Sequence, residues 1–258
     1  MMKKVHFTHS YLLQPQHRIT VHLIGAGGTG SQVLEALARM DAALFKLGHP
    51  GLNVSVFDVD EVSEANIGRQ LFSPVDIGEN KAVCLTTRIN RFFGLDWEAV
   101  PAMYSVECKA ANLTISCVDN VKSRLMINAH LKDESLPVGD VYEQPLYWLD
   151  FGNKQKTGQV VLGTVGKHPQ PRESGYKVIG KLPTICDLFD LTQVDETDSG
   201  PSCSVMEALR KQDLYINSTL SQMGCTLLWK LFREGIIEYH GVYLNLETMR
   251  TNPLAIGR

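Results

Sequence analysis

Residues 19–40, ITVHLIGAGGTGSQVLEALARM, decide the fold of this chain. Residues 19–24 form a β-branched apolar run typical of a buried strand, and residues 31–40 carry apolar side chains at helical spacing. The turn between them contains the glycines Gly25, Gly27, Gly28 and Gly30. In the pattern G-x-G-x-x-G the first glycine permits a tight bend, the second lets backbone N–H groups approach a phosphate, and the last allows helix and strand to pack closely. This context favours a nucleotide site over a merely tight turn.

Strand and helix patterns continue to alternate through the first half of the chain. We predict strands over residues 52–58 and 113–118, and helices over residues 79–93 and 121–131. Alternating strands and helices predict an α/β fold with a parallel sheet covered on both faces. Because parallel crossovers are right-handed, we expect a Rossmann-like, doubly wound sheet whose nucleotide-binding half spans residues 18–135.

The second half changes character. Residues 146–152 and 157–165 predict an antiparallel β-hairpin, and residues 167–201 are too long for a passive connection, which favours a crossing or active-site loop. The remaining predictions are helices over 204–210 and 213–234 and a closing strand over 241–246. We therefore expect one domain over residues 1–258, in which residues 136–258 add the hairpin, the crossing loop and the C-terminal helices.

Composition excludes several classes of protein. The chain has 258 residues, of which 44% are hydrophobic and 21% charged, as in an ordinary globular protein. A net charge of −3 supplies no field for non-specific binding of nucleic acid or an anionic membrane. Because no apolar run approaches a membrane span of ~18 residues and no signal-peptide core is present, we expect a cytoplasmic location. The six cysteines contain no Cys-x-x-Cys pair, so no zinc is expected.

A block of polar residues follows the second predicted strand. Asp58 ends that strand, where either a ribose-hydroxyl acceptor or a solvated carboxylate is expected. The patterns N-x-x-R-Q at residues 66–70 and G-x-x-K at residues 78–81 come next, and D-N-x-x-x-R-x-x-x-N spans residues 119–128. A nicotinamide-dependent dehydrogenase does not need such a block.

Together with the glycine turn, these ordered motifs resemble the ThiF/MoeB/HesA superfamily, which has the fold of ubiquitin-activating enzymes. The resemblance is strong over residues 25–128 and looser beyond residue 130. It implies an ATP-dependent adenylyltransferase that uses Mg²⁺, forms a homodimer and activates the C-terminal carboxylate of a small ubiquitin-like protein. The second half further resembles the ThiF-type protein of the PRTRC system, a bacterial cassette. An N-terminal R-Y-x-R-Q segment usual in MoeB and ThiF is missing, and Arg18 is the only N-terminal arginine.

The chemistry of adenylate formation explains these residue types. A carboxylate that attacks the α-phosphate approaches a polyanion, and the leaving pyrophosphate accumulates charge, so cations and a metal are required. Arg69 offers a planar fork to phosphate oxygens, and Lys81 a mobile point charge. Asp119, after a buried strand, is the candidate Mg²⁺ ligand. Asn66 is expected to contact phosphate or brace its loop, and Gln70 to orient Arg69.

Cys203 is the candidate nucleophile. The capping-box pattern S-x-x-E at residues 204–207 predicts that Cys203 lies just before a helix, where N–H groups favour a thiolate, although the acids at 195, 196 and 198 oppose this. The family resemblance implies that this cysteine takes the activated acyl group as a thioester or persulfide, and a structural thiol is the equal alternative. We expect packing roles for Cys84, Cys117, Cys186 and Cys225.

Three other functions stay open at this point. The first is an NAD(P)-dependent oxidoreductase, which Arg69 and Lys81 disfavour. The second is a catalytically silent, nucleotide-binding scaffold subunit. The third is adenylation of a nucleic-acid carboxylate, which the net charge of −3 disfavours.

Overall fold

The computed structural model describes residues 2–133, 144–166, 168–193 and 212–257. The strands are β1 (Lys4–Phe7), β2 (Ile19–Ile24), β3 (Leu52–Phe57), β4 (Glu98–Val100), β5 (Leu113–Ser116), β6 (Tyr147–Asn153), β7 (Thr157–Thr164), β8 (Lys177–Val178), β9 (Ile236–Ile237), β10 (Tyr239–Asn245) and β11 (Arg250–Ala255). The α-helices are α1 (Ser10–Leu13), α2 (Gly28–Lys46), α3 (Lys81–Phe93), α4 (Val121–Leu131), α5 (Ile185–Leu188) and α6 (Ile216–Glu234). Short 3-10 turns lie at Glu64–Asn66, Pro74–Asp76 and Leu191–Gln193.

Eight strands form the main sheet, in the order β11-β10-β7-β6-β5-β2-β3-β4. The strands from β6 to β4 are parallel to one another, and β7, β10 and β11 add antiparallel pairs. The chain winds from β2 outward through β3 and β4, then returns to the other side of β2 to form β5 and β6. This change of direction between β2 and β5 is the kind of switch point at which open α/β sheets bind ligands. The predicted α/β, doubly wound fold is confirmed.

Helices cover both faces of the sheet, which explains the continuous apolar runs of its central strands. The larger cluster of buried side chains joins one sheet face to α2, α3 and α6. The smaller cluster joins the other face to α4 and α5. Among the described residues, no helix combines the length and apolar character needed to cross a membrane.

Most predicted elements are present with shifted ends. α4 matches its prediction, α2 continues to Lys46, and the hairpin forms as β6 and β7. β1 was not predicted; it pairs with β8 and β9 in a separate three-stranded sheet. The predicted helix over 204–210 and the end of the predicted crossing loop lie outside the described residues.

Candidate functional site

The glycine turn follows β2 and opens α2 at the switch point. Gly25 has φ +92°, and a Cβ there would lie 2.8 Å from the carbonyl oxygen of Cys117 at the end of β5. A Cβ on Gly30 would lie 1.8 Å from the carbonyl oxygen of Gly25, so only glycine fits this contact. Gly27 caps α2 without a side-chain hydrogen bond. The start of this 19-residue helix is therefore a favourable place for an anion.

Asp58 fastens the end of β3 to the glycine turn. Its Oδ2 accepts a hydrogen bond from the Ala26 N–H at 2.6 Å, and its Oδ1 accepts one from the Asp60 N–H at 2.9 Å. Burial raises the pKa of this carboxyl. Both oxygens of the residue predicted to bind ribose thus already hold backbone N–H groups, which gives Asp58 a definite role in shaping the turn.

Asp60 and Lys81 form an ion pair beside Asp58. Lys81 begins α3, its side chain is only 10% exposed, and its Nζ lies 2.9 Å from Oδ2 of Asp60, whose side chain is 64% exposed. The Asn80 side chain caps α3 and donates hydrogen bonds to the carbonyls of Asp58 and Asp60. These bonds hold Lys81 at the carboxyl end of β3. Asp60 is not a predicted site residue, although the repeated acid in Asp58-Val59-Asp60 was a visible signal.

Asn66 and Gln70 lie in the loop that carries Arg69. Asn66 is buried, and its Oδ1 accepts hydrogen bonds from the backbone N–H and the hydroxyl of Ser63. Of the two predicted roles, the structure shows the bracing one. Gln70 is buried near Gly27, and its Oε1 has no hydrogen-bond partner within the described part of the chain. The bond that orients Arg69 comes from Gln212 and not from Gln70.

Arg69 is a partly buried cation that has no anionic partner among the described residues. Its Nη1 donates to Oε1 of Gln212 at 2.5 Å, whereas its Nε is buried and has no partner in the part of the chain that the structure describes. Burial lowers the pKa of the guanidinium. Within the described ranges no carboxylate pairs with Arg69, whereas the partly buried Lys81 and Arg124 each have one. Because burial of an uncompensated charge is costly, an anionic ligand would satisfy this group.

Asn217 connects Arg69 to the start of α2. Its Nδ2 donates to Oε1 of Gln212 at 2.9 Å, and its Oδ1 accepts from the Thr29 hydroxyl at 2.9 Å. The same oxygen accepts from Nδ2 of Asn153, in the β6–β7 hairpin, at 3.1 Å. A Cβ on Gly28 would lie 2.4 Å from Nδ2 of Asn217, so Gly28 leaves room for this buried amide. Neither Asn217 nor Gln212 is a predicted site residue.

Asp119 stands in the exposed turn after β5. The Cys117 N–H donates to the carbonyl of Ile24 at 2.8 Å, which holds the start of this turn against the glycine turn. Oδ1 of Asp119 accepts from Asn120, and the Asn120 side chain caps α4. Among the described residues, no group of three or more His, Cys, Asp or Glu side chains is arranged to hold a metal ion. Asp119 therefore offers a single carboxylate.

Arg124 supports that turn from inside the protein. It pairs with the buried Asp150 at 3.0 Å and donates to the carbonyls of Val118 at 2.7 Å and Phe151 at 2.9 Å. Burial raises the pKa of Asp150, and the neighbouring guanidinium opposes that shift. The arginine of the D-N-x-x-x-R motif thus acts on Asp119 indirectly, by fixing the backbone before it.

Four of the described cysteines are poor nucleophiles. Burial raises the pKa of Cys225 to about 12 and the pKa values of Cys84 and Cys186 to about 11. It raises the pKa of Cys117 well above the usual value. Their thiols stay protonated at neutral pH, in keeping with the predicted packing roles. Cys203 lies outside the described residues.

Comparison with known proteins places this site in a family. The family model described as "ThiF family" matches residues 7–210, so the chain belongs to the ThiF family. It is 36% identical over 73 residues to the ubiquitin-activating enzyme E1 1 of Schizosaccharomyces pombe, covering 28% of this chain and 7% of that protein. It is 25% identical over 135 residues to the ubiquitin-like modifier-activating enzyme 5 of Drosophila melanogaster, covering 45% and 31%. These matches span less than a third of each curated relative.

Solved structures show the same fold at low sequence identity. E. coli MccB in a crystal structure with ATP has a TM-score of 0.57 and 13% identity, covering 96% of this chain and 65% of that chain. PaaA has a TM-score of 0.57 and 14% identity, covering 93% and 64%.

Proposed function

We propose that this protein is an ATP-dependent adenylyltransferase that activates a carboxylate. The observation that carries the proposal is Arg69, a partly buried guanidinium without a carboxylate partner among the described residues, in the loop next to the glycine turn. An oxidoreductase that binds a dinucleotide through the glycine turn alone has no need of this cation. Membership of the ThiF family and the shared fold of MccB, which was crystallised with ATP, support ATP as the ligand.

The described residues supply the groups that this reaction needs. A carboxylate oxygen forms a bond to the α-phosphorus while the bond from that phosphorus to the bridging oxygen of pyrophosphate breaks. The N–H groups at the start of α2 and the cations of Arg69 and Lys81 stabilise the charge that develops on the phosphates. The ion pair with Asp60 holds Lys81 near the strand end.

Mg²⁺ fits the single carboxylate of Asp119. This ion prefers one or two protein carboxylates and completes its shell with phosphate oxygens and water. When bound, it would neutralise phosphate charge. A closed cage of three or more protein ligands is not required, which agrees with the lack of such a cluster in the described ranges.

We infer that the acceptor is the C-terminal carboxylate of a small ubiquitin-like protein. Curated relatives are named as activators of ubiquitin and of ubiquitin-like modifiers, and this naming supports that substrate class. The proposal extends to a cytoplasmic homodimer of the PRTRC type that passes the acyl group to Cys203.

ATP–pyrophosphate exchange tests the proposal. Exchange of labelled pyrophosphate into ATP should require a ubiquitin-like protein with a free C-terminal carboxylate and should vanish when that carboxylate is amidated. Arg69→Ala should lower the rate by about 10-fold to 100-fold, because it removes a charge-assisted bond of ~1.5–3 kcal/mol. Thermal protection by NAD and not by ATP would favour the oxidoreductase instead.

A further inference from the structure

Two amides far along the chain from Arg69 form a hydrogen-bonded series that ends at its guanidinium. Gln212 lies 143 residues beyond Arg69 and accepts its Nη1–H at 2.5 Å. Oε1 of Gln212 also accepts from Nδ2 of Asn217 at 2.9 Å. Asn217 is only 3% exposed and is fixed by Thr29 and Asn153 through its own oxygen. We call the hydrogen-bonded series Asn217–Gln212–Arg69 the amide relay.

The bond from Nη1 to Gln212 determines which N–H groups of Arg69 have no protein partner among the described residues. A guanidinium presents two hydrogen-bonding forks, and the side-on fork consists of Nε–H and one Nη2–H. Gln212 holds Nη1, so the side-on fork has no hydrogen-bond partner in the described part of the chain, and the Nε of that fork is buried. An uncharged oxygen at Nη1 orients the group without neutralising it, so the positive charge stays available to a phosphate.

We propose that Gln212 and Asn217 are positioning residues, which aim the Nε–Nη2 fork of Arg69 at a nucleotide phosphate. The proposal rests on the proposed function for its ligand and adds residues outside the recognised motifs. Asn217 also bonds Thr29 in the first turn of α2, so one amide sets both the helix N-terminus and the cation. A phosphate bound between them would therefore meet two groups held in a fixed relation.

A double-mutant cycle on ATP binding tests the relay. Gln212→Leu keeps the size of the side chain and removes the acceptor, and should raise the Kd for Mg-ATP about 5-fold to 10-fold in titration calorimetry. Asn217→Ala should act in the same direction. Once Arg69 is replaced by alanine, Gln212→Leu should cause no further loss, because Gln212 acts on the phosphate through the guanidinium. An equal loss with and without Arg69 would overturn the proposal.

Gln170→Leu is the matched control. The Gln170 amide also makes two hydrogen bonds, to the backbone of Phe7 in β1, away from the glycine turn. Its removal should lower the urea midpoint while the Kd for Mg-ATP stays unchanged. If Gln170→Leu weakens ATP binding as much as Gln212→Leu does, the effect is general destabilisation and the relay is wrong.

A second cycle, without nucleotide, separates this proposal from the proposed function. Urea midpoints of Arg69→Ala, Gln212→Leu and the double variant should shift non-additively, because Arg69 and Gln212 share one bond. Additive shifts together with normal ATP binding by the wild type would overturn the relay alone. Non-additive shifts without ATP binding by the wild type would overturn the proposed function and leave the contact between the two side chains established.

Discussion

At the scale of single residues, a substitution of Asp119 best separates an effect on the reaction from an effect on folding. Its side chain is exposed and receives one hydrogen bond, from Asn120. Asp119→Asn should therefore leave the thermal midpoint nearly unchanged while lowering ATP–pyrophosphate exchange at least 100-fold, because the proposed Mg²⁺ ligand is lost. Asp190→Asn, which alters an exposed aspartate whose side chain accepts hydrogen bonds from Thr192, serves as the control and should keep full exchange. Full exchange by Asp119→Asn would exclude this carboxylate from the reaction.

Local sequence spacing revealed some residues of the site and could not reveal others. Arg69, Lys81 and Asp119 stand in short motifs whose order along the chain carries information. Gln212 and Asn217 are ordinary amides in sequence. The hydrogen bonds from Asn217 to Gln212 and from Arg69 to Gln212 form only once α6 packs beside α2. No local pattern can encode a hydrogen bond between side chains 143 residues apart.

At the scale of elements, the strands that were predicted are defined by their own sequence, and those that were not predicted depend on distant pairing partners. β2 has the predicted ends because its apolar run is continuous, and α4 because a capping asparagine marks its start. β1 is four residues long and depends on partners at residues 177–178 and 236–237. β11 contains Pro253, which is tolerated because β11 is an edge strand. Both strands depend on pairing with partners, which single-segment patterns do not show.

The buried hydrogen bonds that hold β1 in place predict that the protein loses stability at acidic pH. His6 is fully buried, and its ring nitrogens bond the Ile179 carbonyl at 2.8 Å and the Tyr147 hydroxyl at 2.9 Å. Burial lowers its pKa to about 4, with His168 and His240 adding repulsion. The unfolded chain binds this proton at higher pH than the folded chain does. Stability is therefore complete above pH ~6.5 and falls as pH drops toward 4, by about 3 kcal/mol for this residue.

Urea unfolding at a series of pH values measures that loss. His6→Gln keeps a hydrogen-bonding side chain that does not titrate, so its stability should fall less steeply between pH 6.5 and 4 than that of the wild type. Equal slopes in the two proteins would mean that His6 does not contribute.

At the scale of the whole molecule, the site unites both halves of the chain. The first half supplies the glycine turn, Arg69, Lys81 and Asp119, all near the carboxyl ends of parallel strands. The second half supplies Asn153 from the hairpin and Asn217 from α6, which hold the turn and Arg69 in place. A nucleotide-binding half ending near residue 135 would lack these supports. In the proposed function, the hairpin and α6 therefore support nucleotide binding in addition to completing the fold.

The proposed reaction has two steps, formation of the acyl-adenylate and transfer of the acyl group to a thiol. The last prediction separates them. Adenylation needs cations and a metal at the phosphates, whereas a thiol becomes useful only once an acyl-adenylate exists. Burial raises the pKa values of Cys84, Cys117, Cys186 and Cys225, which leaves them unsuited to attack. Cys203→Ala should keep ATP–pyrophosphate exchange and lose any reductant-sensitive adduct with the ubiquitin-like protein, detected by non-reducing electrophoresis and mass spectrometry.

Cys186→Ala and Cys225→Ala are the controls and should keep both activities, provided that their thermal midpoints show that they are folded. An adduct that survives in Cys203→Ala would assign the thioester to another thiol. If the wild type releases acyl-adenylate without any adduct, the protein stops at activation, and Cys203 is a structural cysteine. Because exchange reports the first step and the adduct the second, the two measurements locate any failure on one side of the adenylate.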